Sequence, residues 1–106
     1  MDAYTIVRNA ILNKDSISGQ YHGFARKLSP HVIGTNKRGQ RQALFYQYGG
    51  GSVTGLGPPG SIKNWRCIPI DDMSDVSTIS GEWNTADEHG VRQQVCVRDV
   101  DVKVAY

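Results

Sequence analysis

The chain has 106 residues and a formal net charge of only +2, with 39% hydrophobic and 21% charged residues. This length fits one domain with a modest core, and the nearly balanced charge excludes the strongly basic surface of a general duplex-DNA binder. No apolar run approaches the ~20 residues of a membrane-spanning helix. The sequence shows no signal peptide, and Cys67 and Cys96 fit no metal-ligand spacing. It therefore predicts a soluble, cytoplasmic protein with free thiols, although spacing alone leaves a disulfide open.

The N-terminal segment has the pattern of an amphipathic helix. Residues 2–13 begin with Asp2, a good helix cap, and end at a polar run that starts at Asn13. Apolar residues recur at the spacing of one helical face: Ala3, Ile6, Val7, Ala10 and Ile11. A helix this short is marginal alone, so we expect its apolar stripe to pack on the rest of the domain.

From residue 16 onward the pattern changes to short strands separated by turns. Segments 16–21 and 24–28 flank His22-Gly23, which predicts a tight hairpin. Segment 31–35 reads as a further extended piece after Pro30. Segment 41–48 carries apolar residues on both faces and reads as a central strand.

The second half continues this β pattern. Segment 49–61 is glycine-rich and reads as a loop, and strands are predicted at 64–70 and 76–80. Valines then alternate with polar residues up to Val104, with a slip at Arg98-Asp99 that indicates a bulge.

These elements predict a mainly β (α+β) fold: a small, strongly bent SH3/Sm-like β-barrel with one N-terminal helix. The whole chain, 1–106, forms one domain, in which 16–80 is the barrel core and 91–106 is a C-terminal strand extension. The pattern leaves open whether this extension closes the barrel or pairs with another chain.

Three segments carry a resemblance to a known family. They are Arg26-Lys27-Leu28-Ser29-Pro30, Leu44-Phe45-Tyr46 and Trp65-Arg66-Cys67-Ile68-Pro69-Ile70-Asp71. Their order resembles the WYL-like domain, an Sm- or SH3-like barrel of bacterial transcription regulators and phage-defence systems. The triplet that names the family reads Gln42-Ala43-Leu44 here, and no helix-turn-helix precedes the domain.

The resemblance implies a stand-alone, non-enzymatic regulatory module that senses a nucleotide or a short single-stranded nucleic acid. It points to Arg26 and Arg66 as ligand contacts and to Leu44 as a structural residue.

The residues themselves support the same chemistry, because guanidinium groups bind phosphate with paired hydrogen bonds and aromatic faces stack on bases. The predicted ligand-binding residues are Arg26, Arg66, Arg41, Tyr46, Tyr48 and His31. Two plainer interpretations stay open: the arginines are solvated or pair with an acid such as Asp71, and the tyrosines and His31 pack in the core.

Other chemistry finds little support in the sequence. The glycine-rich segment lacks the phosphate-loop pattern, no catalytic triad spacing accompanies Asp71-Asp72, and the three histidines fit no metal site. We therefore predict no enzyme activity, no metal and no cofactor. The alternative function is a protein–protein adaptor or homodimer in which the tail pairs at a sheet edge.

Overall fold

The computed structural model describes residues 2–52, 55–86 and 96–105. Within these ranges the chain forms one α-helix, six strands and two short 3-10 helices. The helix is α1 (Ala3–Asn13), and the strands are β1 (Ser16–Tyr21), β2 (Phe24–Thr35), β3 (Arg41–Gly50), β4 (Trp65–Pro69), β5 (Ser74–Ile79) and β6 (Asp99–Lys103), with 3-10 helices at Ile62–Asn64 and Ile70–Asp72. The mainly β class with one N-terminal helix is confirmed.

The strands form one antiparallel sheet in the order β4-β3-β2-β1-β5, and β6 also pairs with β2. The 12 residues of β2 are enough to pair with β1 along the first part of the strand and with β6 along the last part. Register shifts between β2 and β3, at Lys27/Leu28 and Pro30/Val32, are the kind of bulge that bends a sheet. Residues 99–103 therefore belong to the sheet of their own chain, while residues 91–95 of the predicted C-terminal extension lie outside the described residues.

Strand β2 runs through Pro30, where the sequence predicts an interruption. Pairing with β1 ends at Leu28 and pairing with β6 begins at Val32, so Pro30 lies in the gap between the two partners. It also lies beside a register shift. A missing backbone N–H is tolerated in such a place, because no regular ladder runs along that edge.

Helix α1 agrees with its prediction to within one residue. The Asp2 carboxylate accepts a hydrogen bond from the Thr5 backbone N–H at 2.9 Å, which caps the first turn. The helix buries Val7, Ala10 and Ile11 against the sheet. The core there also contains Ile17, Leu28, Ile33, Ala43, Phe45, Ile68 and Ile70. None of the described helices is long and apolar enough to cross a bilayer.

The two cysteines form a disulfide that joins β4 to the segment before β6. The Cα atoms of Cys67 and Cys96 lie 6.0 Å apart. The expectation of free thiols is wrong, because 29 residues of sequence separation reveal nothing about the distance between the two side chains in the fold. The cytoplasmic location depends partly on that expectation and stays a prediction.

A polar cluster fastens α1 to β6. The Tyr4 hydroxyl donates to the Asp101 carboxylate at 2.7 Å, and Arg8 Nε donates to the same oxygen at 3.1 Å. Burial, together with the Asp101 carboxylate, raises the pKa of Tyr4 to about 12. The hydrogen bond from Tyr4, with help from Arg8, lowers the pKa of Asp101.

We expect this cluster to lose its stabilising effect in strong alkali. The pKa of Tyr4 is higher in the folded than in the unfolded state, so its contribution is complete below pH ~10 and disappears as the pH rises towards ~12. Tyr4→Phe should lower the free energy of unfolding by about 1 kcal/mol at pH 8, the usual worth of one hydrogen bond. Urea titrations of both proteins at increasing pH should show this difference shrinking. A difference that stays constant up to the highest pH would contradict the assignment.

Candidate functional site

Arg26 lies near the start of β2, just after the predicted hairpin turn. His22 and Gly23 both adopt left-handed backbone angles, with φ of 52° and 78°, so the tight turn is confirmed. Although it is charged, Arg26 is only 4% exposed. Arginine is rarely so buried without a partner. The contacts of its guanidinium therefore decide whether Arg26 is a structural residue or a ligand contact.

The Arg26 guanidinium contacts neutral groups. Nη1 donates to Gln47 Oε1 and Nη2 donates to the Tyr21 carbonyl, both at 3.2 Å. The guanidinium carbon lies 5.1 Å from the ring centre of Tyr21 and 5.9 Å from that of Phe24. Nε is buried and has no hydrogen-bond partner among the described residues.

The residues at the end of β3 orient the side chain of Gln47. Its Nε2 donates to the carbonyls of Gly49 at 3.0 Å and Gly51 at 2.9 Å. This assigns the amide, because the nitrogen must face the two carbonyls and the oxygen must then face Arg26. The end of β3 thus positions the acceptor for a buried cation.

Arg66 donates to four acceptors, two of which belong to the glycine-rich segment 49–61. Nη1 donates to the carbonyls of Lys63 and Trp65, at 2.6 and 3.0 Å. Nη2 donates to the Gly55 carbonyl at 3.0 Å and to Ser52 Oγ at 3.4 Å. Because all four acceptors are uncharged, the positive charge of Arg66 is not neutralised by these contacts.

The strand register places both arginines on the same face of the sheet. Arg66 is paired with Phe45, and Gln47, two residues further along β3, is paired with Leu28. Paired residues share a face, as do residues two apart on one strand, so Arg26 shares the face of Leu28. Burial lowers the pKa of Arg26, and the charge of Arg66 lowers it further. Gln47, which accepts a hydrogen bond from Arg26, also donates to the Gly51 carbonyl, and Arg66 donates to Oγ of the next residue, Ser52. Both arginines are therefore tied to the same short stretch of chain after β3.

Neither arginine forms an ion pair in the part of the chain that the structure describes. The ion pairs found there involve Arg8 and Arg41 instead. A buried charge is costly unless it is paired, and two like charges side by side increase that cost. This local excess of positive charge is what an anion-binding site requires.

Arg41 lies far from this pair, at the opposite end of β3. It is paired in register with Thr35, whereas Arg26 is paired with Gly50. Its guanidinium forms ion pairs with Asp71 and with Asp2, the latter at 3.7 Å. The hydrogen bond to Asp71 raises the pKa of Arg41. For Arg41 the plainer interpretation therefore holds: its guanidinium pairs with an acid of the same chain.

Tyr46, Tyr48 and His31 are not brought to the arginines either. Tyr46 is next to Gln47 in a regular part of β3 and lies on the other face. Tyr48 is the extra residue at the register shift after Gln47 and lines the same concave surface as Tyr46. Tyr46 is 2% exposed, and its hydroxyl donates to the Ser61 carbonyl at 3.0 Å. His31 is fully buried, with its ring centre 4.7 Å from that of Trp65 and 4.5 Å from that of Trp83.

The aromatic groups beside the arginines come from the β1–β2 hairpin, which the sequence interpretation overlooks. Phe24 is 36% exposed, and its ring lies against Gly51, where an added Cβ would come within 2.6 Å of it. The exposed ring of His22 stacks on Tyr21 with centres 4.0 Å apart. A usable signal is present in the sequence: aromatic residues flank the turn, and Arg26 follows two positions after Phe24.

A scan against protein families and searches of curated proteins and of solved structures found no match to this chain. The resemblance to the WYL-like domain therefore stays a prediction. No group of three or more His, Cys, Asp or Glu that could hold a metal occurs among the described residues.

Proposed function

We propose that this chain binds a phosphate-bearing ligand, a nucleotide or a short single-stranded nucleic acid, at the surface where Arg26 and Arg66 meet. The observation that carries the proposal is the proximity of two guanidiniums whose described contacts include no carboxylate. An anion bound between them would relieve their repulsion and supply the missing negative charge. The resemblance to the WYL-like domain implies a ligand of the same class.

The remaining donors suit a phosphate group. Arg26 uses Nη1 and Nη2 on neutral acceptors and leaves Nε without a partner in the described part of the chain. A hydrogen bond from the guanidinium to a phosphate joins opposite charges, whereas the present bonds to Gln47 and Tyr21 join a cation to neutral oxygens. A phosphate can therefore compete with the Gln47 amide and the Tyr21 carbonyl for the Arg26 guanidinium. We expect Phe24, which covers Arg26, to move aside when the ligand enters.

The hairpin next to the arginines would contact the rest of the ligand. Phe24 and His22 expose aromatic faces, and base stacking on such a face is worth ~1–3 kcal/mol per base. Rings beside cations are the usual combination for single-stranded ligands.

The charge of the whole chain favours a small ligand over a long duplex. A net charge of +2 cannot follow an extended phosphate backbone. If the two arginines neutralise two phosphates of a single strand, the affinity should fall with log salt with a slope of about −1.4. We propose binding without catalysis, because the described contacts of the two arginines include no nucleophile held by a base.

Ligand titration with matched variants tests the proposal. Calorimetry at low salt with nucleoside triphosphates and short oligonucleotides should give saturable binding to the unmodified chain. Arg26→Met and Arg66→Met should each weaken it by at least ~10-fold, since a lost charge-assisted hydrogen bond is worth about 1.5–3 kcal/mol. Arg26→Lys should be intermediate, because it keeps the charge and loses the planar donor pair.

Arg38→Met is the matched control. It removes the same charge from an exposed turn at the far end of β2 and β3, and it should change the affinity less than twofold. Circular dichroism should show that each variant keeps its fold. Equal weakening by Arg38→Met, or no saturable binding at low salt, would contradict the proposal. The adaptor alternative stays a prediction, and one edge of β6 is already paired with β2.

A further inference from the structure

The Cys67–Cys96 disulfide lies on the face of β4 opposite to the core beneath α1. The next residue along the strand, Ile68, is buried in that core with Ala43, its partner on β3. Because neighbours on a strand point to opposite faces, Cys67 points away from the core. Cys67 is exposed to solvent, and Cys96 is half-buried. A dissolved thiol can therefore reach Cys67 while the core stays closed.

The two sulfur atoms of the bond have different surroundings. The side-chain Nε2 of Gln42 donates a hydrogen bond to Cys96 Sγ at 3.2 Å. No described residue donates a hydrogen bond to Cys67 Sγ. A donated hydrogen bond stabilises a sulfur most when that sulfur carries the negative charge of a thiolate. Cys96 is therefore the better leaving group of the two when the bond is broken by a thiol.

The turn before β3 fixes the orientation of the Gln42 amide. Asn36 Oδ1 accepts hydrogen bonds from the backbone N–H groups of Arg38 and Gln40, so the Asn36 amide nitrogen points the other way. That nitrogen donates to Gln42 Oε1 at 2.7 Å. The nitrogen end of the Gln42 amide then faces Cys96. Backbone groups of the turn thus determine that Cys96 Sγ meets a hydrogen-bond donor.

Opening the bond leaves the segment before β6 attached to the sheet. Gln42 still donates to the Cys96 carbonyl at 3.1 Å, and the Arg98 N–H still donates to the Thr35 carbonyl at 3.0 Å. Strand β6 keeps its pairing with β2, and β4 keeps its pairing with β3. The disulfide can therefore open and close while the chain stays folded.

We propose that Cys67 is a site of reversible modification by low-molecular-weight thiols. The thiolate of the small molecule attacks Cys67 Sγ and forms a new S–S bond, while the bond to Cys96 breaks and Cys96 leaves as a thiolate. The product carries a mixed disulfide on Cys67. The Cys96 thiolate takes a proton from water, and the resulting thiol can donate to the Ala43 carbonyl oxygen, 3.8 Å away. Attack by Cys96 on Cys67 Sγ reverses the step and releases the small thiol.

The test is thiol exchange in the folded, full chain without denaturant. The chain is incubated with reduced glutathione, quenched with N-ethylmaleimide and mapped by peptide mass spectrometry. Glutathione should be found on Cys67 and the maleimide on Cys96. Gln42→Leu should slow the exchange at least ~3-fold, because it removes the donor that stabilises the leaving thiolate. Gln20→Leu, the same change at an exposed position of β1, is the control and should leave the rate unchanged.

A mixed disulfide on Cys67, formed at a rate that does not change in sub-denaturing urea, supports the site. The proposal is overturned if no adduct forms, if the adduct forms on Cys96, if the rate rises with urea in step with unfolding, or if Gln42→Leu exchanges as fast as the unmodified chain. If Gln42→Leu does not fold, Gln42→Glu replaces it, since it keeps the acceptor for Asn36 and loses the donor to Cys96. Arg26→Met should leave the exchange unchanged, so failure of the phosphate site and failure of this site are distinguishable.

Discussion

Gly50→Ala is expected to lower the free energy of unfolding by at least ~3 kcal/mol. Gly50 has a φ of 82°, and the left-handed conformation costs an L-residue roughly 1–2 kcal/mol. The added Cβ would also lie 2.1 Å from the Ala25 carbonyl oxygen and 2.7 Å from the Arg26 Cα. Because both neighbours are backbone atoms, only separation of β2 from β3 relieves the clash. That separation breaks the hydrogen bond from Gly51 N to the Ala25 carbonyl, at 3.1 Å, and moves Arg26.

Gly23→Ala is the matched control for this prediction. Gly23 has a similar φ of 78°, but an added Cβ would meet nothing within 4 Å. Only the backbone strain remains, so the loss should be about 1–2 kcal/mol. Urea denaturation of the two variants separates the clash from the strain. Equal losses would mean that the end of β3 can move away from Arg26 at little cost. Gly50→Ala should also abolish phosphate binding, because it displaces the strand that carries the arginine.

Removing the disulfide with Cys67→Ser and Cys96→Ser together is expected to lower the free energy of unfolding by about 3–4 kcal/mol. The crosslink spans 29 residues, and closing a loop of that size in the unfolded chain accounts for roughly this amount in the chain-entropy estimate. The bond also fastens the segment before β6 to β4. That segment is also held by Gln42, whose side-chain Nε2 donates to the Cys96 carbonyl at 3.1 Å, and by the Arg98 N–H, which donates to the Thr35 carbonyl at 3.0 Å.

Reductant provides the control for the disulfide prediction. Treatment with dithiothreitol should shift the urea midpoint of the unmodified chain towards that of the double variant and leave the double variant unchanged. Mass spectrometry after alkylation should find no free thiol before reduction. Alkylation of both cysteines in the untreated, folded protein would show that the bond is absent.

The local elements could be predicted because local spacing determines them. Helix α1 follows from the apolar spacing between Ala3 and Ile11, and the β1–β2 hairpin follows from His22-Gly23. Strand β2 could not be predicted as one element. Its continuity through Pro30 depends on β1 ending and β6 beginning on either side of that residue, and β6 lies more than 60 positions further along the chain.

The candidate site could be predicted only in part. Arg26 and Arg66 were identifiable as residue types that bind phosphate, and the structure brings them near each other. Arg41 has the same chemistry, yet the fold places it beside Asp71 and Asp2. The tyrosines of β3 share a strand with Gln47, but they do not lie on the face of the sheet that carries the arginines. Composition could not reveal these differences, because each depends on a partner from another strand.

The amino-acid sequence by itself determined the β-rich class, the N-terminal helix and the tight hairpin, since all of these depend on interactions between near neighbours. Only the tertiary structure decided that the two cysteines meet. It also decided that Arg41 contacts carboxylates, whereas Arg26 and Arg66 contact none among the described residues. Those outcomes depend on the register between strands, and register depends on how apolar side chains distant in sequence pack around one core. The excess positive charge at Arg26 and Arg66 is therefore a property of the folded chain alone.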